Sequence, residues 1–305
     1  MRSRKIALCL LMSICFIAAT ATAAFAQAGS TGAQCGFQTL TFPSPANNGS
    51  AVVLNDSGAI LGGFTDSQSH THGFLLYQGS LATFMFPGSI NTTASGISAM
   101  GIIVGEYTVA ADQNTHLFMV QSGVFHEIKL PGFPNPFTAK AVNSSGDVVG
   151  QVPSSAADFG VGYLLHKGKL TIISFPGAKG ATVPNGINDQ GVVVGNYLLF
   201  SEDVDHGFMW KDGVFSNINP PDGNGFASVA GISNTGAIVG TYVSAADGGF
   251  HGFAFKDGTY TRIDVPGFSS TFIDAVNKFD NVIVVAQKTV GRSGTQFKGF
   301  CSAVF

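Results

Sequence analysis

The chain has 305 residues, of which 40 are Gly and 27 are Phe; only 11% are charged, where about 25% is usual, and the formal charge is −3. An apolar share of 45% excludes an intrinsically disordered chain, and the absence of a basic run beyond the first five residues excludes a nucleic-acid binder by bulk electrostatics. Gly at this density costs about 1 kcal/mol per helical position, which leaves a Gly-punctuated all-β protein.

In chain order, Arg2, Arg4 and Lys5 come first and precede an apolar stretch from Ile6 to Ala19, interrupted only by Ser13. Ala24-Phe25-Ala26 then places small residues at the −3 and −1 positions of a cleavage before Gln27, so residues 1–26 read as a removable signal peptide. The stretch is shorter than the ~20 residues of a membrane-spanning helix, no later segment is long enough, and Ile14 before Cys15 argues against a lipoprotein. The expectation is a secreted protein, extracellular or periplasmic, with no membrane span. Cleavage removes three basic residues and no acidic one, moving the formal charge from −3 to −6. Only Cys35 and Cys301 remain, one near each end; an oxidising compartment suggests a disulfide between them, with two separate buried thiols as the alternative.

From residue 35 to 305 the sequence repeats one unit six times. Turn glycines at 58, 101, 146, 191 and 236, with Asn281 in the sixth slot, are spaced by 43, 45, 45, 45 and 45 residues. Prolines at 43, 87, 131, 176, 221 and 266 keep the same period. The fourth unit is the clearest. Thr182 to Asn188, Val192 to Tyr197, His206 to Trp210 and Val214 to Ile218 read as four short strands, separated by an Asn-Asp-Gln-Gly turn, a variable loop and a Lys-Asp-Gly turn. Four strands in about 45 residues make a propeller blade, so the fold class is all-β and the architecture a single six-bladed β-propeller. The sixth unit lacks a fourth strand, and Phe37 to Pro43 matches Tyr260 to Pro266 in register, so the last blade is expected to be closed by the N-terminal strand. A Cys35–Cys301 bridge there would lock the ring. The strands are too short for an outer-membrane barrel, despite the C-terminal Phe305.

The His-Gly-Phe triplets at 72–74, 206–208 and 251–253, each followed by a Gly turn and a Pro-Gly or Pro-Pro element, and the Gly-Ile-Asn-Asp-Gln-Gly-Val-Val-Val-Gly run at 186–195, resemble the HAF family of bacterial extracellular repeat proteins. The resemblance covers residues 35–305 and implies secretion and a propeller-like fold, with no established biochemical activity. The chain departs from the family's triplet by its central Gly, by His116-Leu117-Phe118 and by Val161-Gly162-Tyr163.

Strong chemical motifs are missing: there is no paired-Cys zinc spacing, no His-Glu-x-x-His, no nucleophile elbow and no phosphate loop. Asp203-Val204-Asp205 and Asp222-Gly223-Asn224 have part of a calcium loop's oxygens but read as ordinary turns, so neither metal nor cofactor is expected. His72, His116, His206 and His251 recur at one position, too far apart in a ring to meet on one ion, and are expected to bond loop backbone within their own blades. Asn55, Asn143, Asn188 and Asn277 are turn residues, and Trp210 is core.

Functional candidates are therefore positions where the repeat is broken. Before the small first-strand residue the units read Val52, Ser95, Lys140, Asn185, Ala230 and Asp274, a column expected to line the central channel with Lys140 and Asp274 opposed. After the second-strand Gly come Gly63, Glu106, Gln151, Asn196 and Thr241, with Glu106 the only acid. Loops after the fourth strands add Phe133, Phe137, Phe226 and Phe268. The leading reading is a non-catalytic binding or cell-surface module engaging neutral carbohydrate or a protein partner through Ser95, Gln151, Asn185, Asn196 and these aromatics. The alternatives are a propeller hydrolase or lyase using Glu106, Lys140 and Asp274, which requires that they converge, and a purely structural envelope protein.

Overall fold

The computed structural model describes residues 19–20, 34–36, 47–134, 138–154, 157–178, 181–199, 204–277, 281–290 and 293–302. They form an all-β propeller whose blades are four-stranded antiparallel meanders, with no helix among the described residues. Blade two is typical, with strands Asn91–Ile97, Ile103–Thr108, Thr115–Gln121 and Val124–Ile128 running from the axis outward. Five blades are complete. The sixth sheet has Ser270–Val276, Asn281–Val290 and Ser293–Ser302, and the short strand Gln34–Gly36 pairs with Phe300–Ser302. The expected closing strand, Phe37 to Pro43, lies outside the described residues, as do residues 1–26, the expected signal peptide, apart from Ala19 and Thr20, which pair with Leu81 and Ser80.

Turn chemistry explains why the meander repeats. At the inner hairpin of blade three, Asn143 Oδ1 accepts the backbone N–H groups of Ser145 and Asp147 at 3.0 and 2.9 Å, and Gly146 takes the left-handed φ of 82° that closes the turn. Between blades two and three, Pro131-Gly132 occupies the centre of a tight turn in which Phe133 N–H bonds Leu130 O at 3.1 Å, with Gly132 at φ 81°; Pro sets the first angle and Gly alone tolerates the second. One detail differs from expectation. Asn277 N–H bonds Asn281 O just as Asn143 N–H bonds Asp147 O, so Asn281 corresponds to Asp147 and the sixth turn-glycine slot falls at residue 280.

Hydrophobic clusters lie between neighbouring blades. Leu54, Phe64 and Phe74 of blade one pack with Ala275 and Ile283 of the sixth sheet, so first and last sheets are in contact around the ring. Trp210 is buried, as its place in the repeat requires.

Candidate functional site

Every first strand carries a one-residue bulge at the same height. The ladder skips Val52, Ser95, Lys140, Asn185, Ala230 and Asp274, the channel column read from the sequence. A bulged residue is released from the pairing pattern and can be aimed elsewhere, here towards the axis. The bulge also presses the first-strand carbonyl against the second strand. A Cβ at Gly105, Gly150 or Gly195 would overlap the carbonyl oxygen of Thr93, Thr138 or Val183, which is why glycine recurs there.

The column lines an axial cavity of 110 Å³ containing Ser95, Lys140, Asn185 and Asp274, with Asp56, Asp189 and Asn234 at the inner-turn end. Asn234 Nδ2 donates to Asp56 Oδ2 and to Asp189 Oδ2, both at 2.9 Å, and Asp189 Oδ1 accepts Ser144 N–H at 2.7 Å, so side chains from separate blades are tied across that end. Lys140 of blade three and Asp274 of the sixth sheet both line this cavity. Asn185 Nδ2 donates to Val229 O at 2.8 Å, leaving its Oδ1 as an acceptor.

Glu106 does not join them. Its carboxylate accepts Ser95 Oγ–H and the Ala139 N–H, each at 2.8 Å, and it is absent from the cavity lining. Burial pushes its carboxyl above the ordinary range, opposed by Ser95, the Ala139 amide and the Lys140 charge. Of the trio Glu106, Lys140 and Asp274, only the last two line the axial cavity. The reason is structural: the residue after the second-strand Gly clasps the next blade. Asn196 Oδ1 accepts Val229 N–H at 2.7 Å, and Thr241 Oγ1 accepts Ile273 N–H at 3.0 Å. Gln151 occupies the same column in blade three, while Gly63 and Val285 have nothing to offer.

The turn asparagines form a second set of ties. Asn55 Nδ2 donates to Ser98 O at 3.0 Å, Asn143 to Asn188 O at 3.3 Å, Asn188 to Ser233 O at 3.4 Å, and Asn277 to Asn55 O at 3.4 Å. Beyond the turn role expected of them, these side chains reach into the next blade.

The histidines differ from expectation in their partners. His72, His116 and His251 bond loop carboxylates of Asp66, Asp112 and Asp247 at 2.9, 3.1 and 3.1 Å, where loop backbone was expected. His72, His116 and His206 stack on Phe64, Tyr107 and Tyr197. The imidazole of His72 and neighbouring backbone N–H groups pull the Asp66 carboxyl down to about 2. Among the described residues no group of three or more His, Cys, Asp or Glu side chains could hold a metal; Asp222 accepts the Tyr242 hydroxyl at 2.8 Å, and Asp203 lies outside the described residues.

Of the loop aromatics, Phe133 and Phe268 pack on the hydrophobic clusters, and Phe137 lies outside the described residues. Phe226 belongs to a different arrangement. It meets Phe250 edge-on at 6.1 Å, and Phe250 meets Phe272 at 5.1 Å, with Phe250 37% exposed. Phe250 stands where other units have Thr71, Thr115 or Asp205, and Phe272 where they have Ser50, Thr93, Thr138, Val183 or Ser228. Comparing these two columns would have found both.

No protein-family model matches the sequence, and no curated protein does. Among solved structures, the chain is similar to TolB from Acinetobacter baumannii at 10% identity and TM-score 0.47, over 84% of this chain and 54% of that one, so it spans about half of TolB. It is similar to the gluconolactonase XC5397 from Xanthomonas campestris at 11% identity and TM-score 0.44, over 85% and 98% of the two chains. It is also similar to the β-propeller domain of the Trilobed protease from Pyrococcus furiosus at 10% identity and TM-score 0.47, over 83% and 95%.

Proposed function

We propose that this β-propeller is a secreted, non-catalytic binding module of the HAF-like kind that engages neutral carbohydrate on its loop face. The observation that carries this reading is the Phe226, Phe250 and Phe272 group at the junction of blades five and six, in which the Phe250 ring contacts both of the others. The exposed Phe250 ring, backed by half-buried Phe226 and Phe272, suits the apolar face of a sugar ring, and the low charge of the chain suits a neutral ligand. Glu106 and Asn196 serve the scaffold, so the binding residues are fewer than the sequence columns suggest.

The reading includes a ring closed by the N-terminal strand and a disulfide between Cys35 and Cys301. Their Cα atoms are register partners, and directly opposed antiparallel residues stand about 4.5–5.5 Å apart, within the span of a disulfide. Non-reducing peptide mapping of the secreted protein is expected to recover the Cys35–Cys301 pair.

A glycan array tests the function. Binding to at least one neutral oligosaccharide is expected, weakened about tenfold by Phe250→Ala with the melting temperature unchanged. Silence across all neutral glycans, or cleavage of one, overturns the reading.

A further inference from the structure

We propose that His251 is a proton-operated latch on the loop of residues 245–249, the segment that leads into Phe250. With a proton on Nε2 the imidazole holds Asp247 and pins the loop; with Nε2 bare it passes to Arg262 and the loop is let go. The latch acts on the loop itself and does not depend on a glycan meeting Phe250.

His251 lies beside Phe250 at the start of the third strand of blade five, Phe250–Lys256, and is only 7% exposed. Its Nδ1 stands 2.7 Å from Asp264 Oδ1, so Nδ1 carries a hydrogen and donates it, since a bare nitrogen there would face a carboxylate lone pair. The other nitrogen has two claimants. Nε2 is 3.1 Å from Asp247 Oδ1, which accepts, and 3.1 Å from Arg262 Nη2, which only donates. One nitrogen cannot serve both at once. A neutral ring with its hydrogen on Nδ1 offers Arg262 a lone pair on Nε2, whereas a charged ring turns that position into a donor to Asp247. Arg262 then has carboxylates to turn to, with Asp264 Oδ2 at 2.6 Å from its Nε and Asp247 Oδ2 at 3.5 Å from its Nη2.

Asp247 is placed to transmit the change. Its Oδ1 also accepts the Gly249 N–H at 2.9 Å, and Gly249 O accepts the Ser244 N–H at 3.0 Å, so carboxylate and loop backbone are joined. A Cβ at Gly249 would stand 2.9 Å from His251 Nε2, so the loop rests directly on the ring. The Gly249 N–H and then the imidazole pull the Asp247 carboxyl down to about 2, and it stays charged through the range in which imidazoles titrate. From the second strand the ring meets Tyr242, centroid to centroid at 5.9 Å, whose hydroxyl donates to Asp222. The competition belongs to blade five. The Arg262 position reads Thr83, Glu127, Ile172 and Asn217 in blades one to four, so no arginine stands there in those blades.

Nitrogen-15 NMR of the full chain, following the His251 ring nitrogens and the amide hydrogen exchange of the loop between about pH 5 and 8, tests the proposal. Nδ1 is expected to keep its hydrogen throughout, while Nε2 passes from bare to protonated as the pH falls. Exchange at Gly249, divided by its intrinsic rate, should be about tenfold slower at the acid end and share the midpoint of the ring. Asp247→Ala should leave loop exchange fast and independent of pH while His251 still titrates. Arg262→Met removes the competing donor, so the loop should stay pinned to a pH about one unit higher. The proposal is overturned if Nε2 keeps one protonation state across the range, if it titrates while loop exchange stays flat, if Asp247→Ala retains the profile, or if Arg262→Met leaves the profile in place. The first two outcomes are read on the unaltered protein and do not depend on a variant folding. No glycan is present in any arm, so failure here is distinct from failure of glycan binding.

Discussion

The two junctions that flank blade one and the two that follow blades two and five are held by different atoms. Blade two reaches blade three through Glu106, and blade five reaches the sixth sheet through Thr241; in both cases the turn position holds Ser98 or Ser233, which has no amide to extend. Beside blade one the pattern is reversed. The clasp column offers Gly63 and Val285, and the tie comes from Asn55 on one side and Asn277 on the other. Between blades four and five both devices are present. Each repeat thus has two places from which to grasp its neighbour's backbone, and a unit that lost one has kept the other. Redundancy of this kind lets the sequence of a repeat drift while every junction keeps at least one satisfied backbone group.

This contrast can be broken or sharpened by substitution. The largest effect is expected from Gly105→Ala. The new Cβ would overlap Thr93 O and crowd the Phe118 ring, so the bulge beside Glu106 has to open, at a cost of about 3 kcal/mol in urea denaturation. Next comes Glu106→Ala, which leaves the N–H of fully buried Ala139 without an acceptor and is expected to cost about 2 kcal/mol. Glu106→Gln keeps an acceptor and should cost less than about 1 kcal/mol. The two also differ in pH response. Because burial raises the carboxyl in the folded state, this group favours folding most below the ordinary Glu value, and its contribution declines as pH rises through the folded value. Unfolding midpoints of Glu106→Gln followed across that range should lose this slope.

Asn277→Asp keeps the oxygen that accepts Asn281 N–H but removes the donor to Asn55 O, and is expected to cost about 1 kcal/mol. A loss much smaller than this would show that packing alone closes the sixth sheet on blade one. The smallest effect is a gain. Gly63→Thr installs the missing clasp where a Cβ meets His72 O at 3.4 Å, ordinary contact, and should stabilise by about 0.5–1 kcal/mol in the same assay. A loss of stability there would mean that blade one sits differently against blade two than its counterparts do.

Much of this was legible in the sequence because a repeat supplies its own comparison. The period, the strand order and the channel column follow from columns of equivalent residues, and Lys140 and Asp274 stand out by being the column's charged members. Glu106 stands out just as clearly, yet its role is local. Nothing in the names Glu, Asn and Thr says that Glu106, Asn196 and Thr241 share an acceptor at one height; only the Ala139, Val229 and Ile273 amides in the facing blade reveal it. The bulge itself leaves no mark except the second-strand glycine, which reads equally well as a turn or a close approach. Phe250 and Phe272 are less legible because each is a single aromatic in a column of small or polar residues, on strands that carry many other apolar side chains.

The bulges have a consequence for how such a ring can change. A ladder residue is fixed by its register partner across the sheet, whereas the bulged residue has no register partner. Six such residues at one height are six letters that the register of the sheet does not dictate, although Ser95 and Asn185 are each tied to a neighbouring residue. In this chain they spell Val, Ser, Lys, Asn, Ala and Asp, and another spelling would present a different interior on the same walls.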